Sequence, residues 1–174
     1  MGAGLAWSRM REIAQSGNTA CSGSIDCVVL SCFAHEVQFL AAIVGQAHIR
    51  LHRCETLRDA DFFLLATGGT VLLTDTRFLD GCWQDALRLM EQTYPLVPTL
   101  LFADVTDREA ITTAKGEGVF EVLMRRGSLD RFREVIAAAH EVATERRLWA
   151  AERQAERPHG TTRATRYPYL VENW

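Results

Sequence analysis

An α/β domain built on a doubly wound, five-stranded parallel sheet and carrying an extended C-terminal helix is the fold class predicted for this 174-residue chain. Two observations predict it. Short apolar runs of strand length recur along the chain, and each is followed by a stretch whose apolar residues fall at helical spacing. Parallel neighbours cannot be joined by tight hairpins, so they need crossover connections, and right-handed crossovers place helices on both faces of the sheet. No sequence repeat underlies the alternation.

The elements follow in order. Residues 1–24 end in "SGNTACSGS", a small polar stretch expected to be a flexible N-terminal extension. The first strand is "IDCVVLSC", whose unbroken apolar centre suits burial on both faces. "FAHEVQFLAAIVGQAH" sets Val37, Leu40, Ala41 and Val44 at helical spacing. Then come a strand at "IRLHRC" and a helix, "TLRDADFFLLATGG", closed by its glycines. "TVLLTD" is the third strand, "CWQDALRLMEQTYP" a helix, "PTLLFAD" the fourth strand, "TDREAITTAKGEG" a helix and "VFEVLM" the fifth strand. From Ser128 a long helix runs toward Arg157, where Pro158 should stop it. Its stripe of Leu129, Phe132, Ile136, Ala139 and Ala143 should pack on the sheet. The domain is therefore expected at 25–143, with 144–174 a helix extension and tail.

Composition narrows the function classes. A hydrophobic content of 48% supports a proper core, and a net charge of -3 gives no general attraction to nucleic acid or anionic membrane. Cys21, Cys27, Cys32, Cys54 and Cys82 contain no C-x-x-C pair and read as free thiols in a reducing cytosol. With neither a leader of secretory pattern nor an apolar run of membrane length, a cytoplasmic protein without membrane contact is expected. The helix beyond Ala143 outruns its own domain through Leu148 and Trp149, and is expected to join two copies as a homodimer. The tail "RPHGTTRATRYPYLVENW" reads as a flexible end or docking peptide rather than a nucleic-acid contact. His35 beside Cys32 lacks an orienting third group, so no nucleophile is read there.

Functional groups of such sheets collect at the carboxyl ends of the strands, near the point where strand order reverses. Ser31 and Cys32, Asp75, Ala103 and Asp104, and Arg125 occupy those ends and should face one pocket. With "VLLTD" and its following "DG", the proline-led "VPTLLFAD" and "AKGEGVFEVLMRRGSLDRF", the chain from about Ile25 to His140 resembles the receiver domain of two-component response regulators. The resemblance implies a flavodoxin-like fold, a signalling role and a phosphoacceptor position at Asp75. In that family an acidic pair at the end of the first strand holds a divalent cation that neutralises the incoming phosphate. Here Ser31 and Cys32 replace the pair, Ala103 stands at the hydroxyl position and Arg125 at the lysine position. Asp26 lies at the opposite end of the first strand, about 16 Å away, and cannot substitute. The loop after Asp75 is also shorter than the family's and lacks its proline.

A degenerate receiver of pseudo-receiver type is therefore expected, with Asp75 paired to Arg125, no enzymatic activity, no metal and no cofactor. It would act on a protein partner of a signalling pathway. A phosphoacceptor regulator using Asp75, or a small-molecule sensor binding in the altered pocket, are the alternatives.

Overall fold

The computed structural model describes residues 24–32 and 48–155. The extension 1–23, the expected helix carrying Val37 to Val44, His35 and the tail from 156 lie outside the described residues. Strands β1 (Ile25–Leu30), β2 (Ile49–Cys54), β3 (Val71–Asp75), β6 (Thr99–Ala103) and β7 (Glu121–Met124) form one parallel sheet in the order β2-β1-β3-β6-β7. Helices α1 (Leu57–Thr67), α2 (Trp83–Thr93), α3 (Arg108–Gly116) and α4 (Leu129–Ala155) flank it. Order reverses between β1 and β3, which sets Ser31 and Asp75 at the switch point.

Alternation along each strand divides the core. Cys27, Val29, Leu73, Leu100 and Phe102 face α4, where Phe132, Val135, Ile136 and Ala139 close over them. Val28, Leu30 and Leu72 face α1 and α2 through Ala60, Leu64, Ala86 and Met90, while Leu101 and Ala103 meet Trp83, Leu87 and Ala114. A single-residue slip in any of these strands would turn its apolar set toward the wrong helix layer.

Local chemistry sets the helix ends. Thr56 caps α1 by accepting from the Asp59 N–H, and Gly68, at φ 62°, closes it in the left-handed region that glycine enters without strain. The Ser128 hydroxyl accepts from the Arg131 N–H at the start of α4.

The stretch after Asp75 is more ordered than a plain loop. Two-residue strands β4 (Arg77–Phe78) and β5 (Gly81–Cys82) pair antiparallel. Phe78 is buried beneath them, and a Cβ on Gly81 would approach the Phe78 ring to 2.9 Å, so only glycine fits. Asp80 accepts from the Leu57 N–H at the start of α1, and Leu79 N–H donates to the Glu55 carbonyl. This loop is thus laced to the β2–α1 turn.

Core contact of α4 fades past Ala143, but the helix remains tied one turn farther on. The Arg147 guanidinium donates to the carbonyls of Gly68 and Gly69 at 3.1 and 2.8 Å, a cation placed at the carbonyl end of α1. No helix among the described residues is long and apolar enough to cross a membrane.

Candidate functional site

Parallel pairing carries the ends of β1, β3, β6 and β7 to one edge, and the chain places one polar or charged group at nearly every end. Asp75 closes β3 with its side chain fully buried. Arg125 follows β7, its N–H bonded to the Ala103 carbonyl, and its side chain crosses the end of β6. The Arg125 Nη2 donates to Asp75 Oδ1 at 2.5 Å, and the guanidinium carbon lies 5.0 Å from the centre of the Phe102 ring beneath it. Charge, hydrogen bond and ring face thus hold the same guanidinium.

Ser31 is buried beside Asp75 and hydrogen-bonds its side chain, whereas Cys32, the next residue, is exposed. Ala103 is fully buried and brings only a methyl group. Asp104 turns back into its own loop, its N–H donating to Asp107 Oδ2 at 2.9 Å. Of the residues singled out in the sequence, Ser31, Asp75 and Arg125 are brought into direct contact. Cys32, Ala103 and Asp104 border them. Asp26 sits at the far end of β1, bonded to Arg50 and His52.

Burial pushes the Asp75 carboxyl up to about 7, the Ser31 hydrogen bond opposes the rise, and the Asp107 charge adds to it. The adjacent guanidinium favours the ionised form on Coulomb grounds. Burial also lowers Arg125 from its ordinary value, with Cys32 acting in the opposite sense. Asp75 Oδ2 is buried and has no hydrogen-bond partner among the described residues.

A divalent cation of the kind the resemblance implies does not fit this donor set. Hard dications take carboxylate oxygens, and the end of β1 offers a hydroxyl and a thiol instead. One oxygen of Asp75 already holds the guanidinium. Among the described residues, no group of three or more His, Cys, Asp or Glu side chains is placed to hold a metal ion.

Sequence reasoning missed Asp80 and Asp107. Asp107 directly precedes a helix and Asp80 sits in the turn of the β4–β5 hairpin, both ordinary places for aspartate, but their acceptor roles depend on which backbone N–H groups the fold brings near.

No protein-family model matches the chain, and no curated protein is similar enough to match. Solved structures are similar in fold. A signal receiver domain of an HD domain-containing protein from Pseudomonas fluorescens is 15% identical, with a TM-score of 0.66 over 75% of this chain and 97% of that one. A response regulator receiver domain protein from Clostridium thermocellum, also 15% identical, gives 0.61 over 72% and 98%. NtrX from Brucella abortus, solved with ADP, gives 0.63 at 16% identity over 75% of this chain and 29% of that chain. Across four strand ends and a reversed strand order, the fold is that of receiver domains.

Proposed function

We propose that the chain is a cytoplasmic, receiver-type signalling module that works through protein contacts and not through phosphorylation of Asp75. It is not an enzyme, and it acts as a homodimer joined by the extended end of α4. One observation carries this reading: the Arg125 guanidinium, seated on Phe102, occupies the carboxylate that a phosphoryl donor would have to approach. Attack on phosphorus needs a free carboxylate oxygen and a cation to spread the developing charge. The remaining oxygen, Oδ2, is buried, and no second carboxylate at the end of β1 could hold the cation. The pair therefore serves as a fixed strut, with the surrounding loops presenting one surface to a partner.

Incubation with acetyl phosphate and magnesium tests this by intact mass. No increase is expected in the parent. A phosphoadduct that forms in the parent and is missing from Asp75→Asn would replace the strut reading with a phosphoacceptor regulator.

A further inference from the structure

At the end of the sheet opposite Asp75, a crevice of about 120 Å³ opens between the close of α2, the α2–β6 loop, the Gly118 turn and α4. Met90, Tyr94, Pro98 and Phe120 give it an apolar, ring-rich wall, and Phe120 is 36% exposed. Its charged lining comes from Glu91 of α2 and Arg146 of α4, both exposed. Neither of these side chains has a charged partner among the described residues. The C-terminal tail carries a run of matching chemistry. In "RYPYLVE", Arg166 to Glu172, an aromatic and apolar stretch stands between a base and an acid. Pro168 fixes its own backbone and biases Tyr167 toward the extended form, and extended proline-bearing runs dock well in ring-lined grooves.

We infer that the run Tyr167 to Val171 docks across this crevice on its own chain, with Glu172 toward Arg146 and Arg166 toward Glu91. Chain length fits this contact. Helix α4 is described to Ala155, nine residues beyond Arg146, or about 14 Å along the helix axis. Residues 156–166 form a tether of eleven residues back to Tyr167, and a coil of that length spans roughly 17–20 Å on average. Span and gap therefore match. Tethering also decides between this occupant and a separate molecule. A crevice of this size takes about one side chain, too little apolar area to hold a free partner against the entropy of association. An attached segment meets it at an effective concentration on the order of millimolar, highest when the tether's span matches the gap. The module thus carries its own cover for this face, independently of the strut at Asp75 and of the dimer reading.

Photocrosslinking of the full chain tests the contact. Benzoylphenylalanine in place of Tyr169, in an equal mixture of heavy-isotope and ordinary protein, should join the tail to peptides bearing Tyr94 or Phe120. Each adduct should contain two light halves or two heavy halves. The same label in place of Phe120 should give the reciprocal adduct with the tail, which covers the case in which the bulkier ring at Tyr169 is excluded from the crevice. Arg146→Glu and Glu172→Arg should each lower the yield several-fold, and the two together should restore it, because the pair re-forms with its signs exchanged. Arg146 is exposed, so its replacement leaves the core intact. Mixed light–heavy adducts would give the crevice to the tail of a second copy and overturn the same-chain contact. Adducts on the crevice from neither label position would overturn the tail as its occupant. Yields unmoved by either charge variant, or not restored by both, would overturn the orientation of the run.

Discussion

Two acid–base contacts sit at opposite ends of the same sheet and differ mainly in water. At the N-terminal end, Asp26 of β1 meets Arg50 at 3.0 Å and His52 at 2.8 Å, and the Arg50 side chain is 62% exposed. At the C-terminal end, Asp75 is fully buried and Arg125 only 17% exposed. The charges are alike, but the cost of separating them is not. An exposed arginine that loses its partner is solvated at once, whereas a buried carboxylate or guanidinium left alone keeps its desolvation penalty. Asp26 is itself only 14% exposed, so the contrast lies in the cation: the N-terminal contact has one partner in water, and the C-terminal pair has none.

The largest effect should come from breaking the buried pair. Arg125→Ala and Asp75→Ala are each expected to destabilise the domain by about 2–4 kcal/mol, because each strands a charged or polar group in a water-poor site. The double variant should lose much less than the sum, since nothing is then left unpaired. Chemical denaturation of the three variants gives the coupling directly. Additive losses would show that the two side chains do not depend on each other, and the strut reading would fail with them.

The two contacts also differ in how far the sequence revealed them. Strand identity and order of elements were legible because apolar runs and helical spacing follow from burial alone, and β1, β3 and β6 lie where those runs do. The strand-end rule placed Asp75 and Arg125 in one pocket, and the resemblance, which set Arg125 at the lysine position, led to their pairing across fifty residues of sequence. Asp26 with Arg50 was not foreseen: they become neighbours only through the β1–β2 register, which pairs Asp26 with Arg50 across the strands. The hairpin Arg77–Phe78 with Gly81–Cys82 escaped notice for another reason. Two-residue strands have too little periodicity to read, and Asp80 gains its acceptor role only when α1 arrives beside it.

A smaller effect should separate the pair by pH. The Asp75 carboxyl is raised on folding from 3.8 to about 7. A raised acid pKa means that the folded state holds the proton more tightly, so this contribution is complete below about pH 4 and is lost as pH rises through 7. The parent should therefore lose up to about 1.4 kcal/mol per pH unit in the middle of that window relative to Asp75→Asn, which has no proton to release. Carboxyl NMR of Asp75 should show the midpoint moving still higher in Arg125→Ala, because the cation that favours ionisation is gone. An unmoved midpoint would mean that the guanidinium does not act on the carboxylate.

The smallest effect is expected at the exposed end, and its size decides whether burial is the right explanation for the contrast. Arg50→Ala removes a partner of Asp26 whose own side chain lies mostly in water, so the change should cost about 0–1 kcal/mol. Asp26 keeps the His52 contact; a carboxylate only accepts, so His52 Nε2 is the donor there. High salt should erase most of whatever cost remains, since exposed charges are screened within about 10 Å at 0.1 M ionic strength. The same salt should leave the Asp75–Arg125 coupling nearly intact, because no ions reach a fully buried carboxylate. Denaturation of Arg50→Ala and of the buried-pair cycle at low and high salt checks both expectations in one experiment. If Arg50→Ala cost as much as Arg125→Ala, or if salt weakened both couplings equally, exposure would not be what distinguishes the two ends of the sheet.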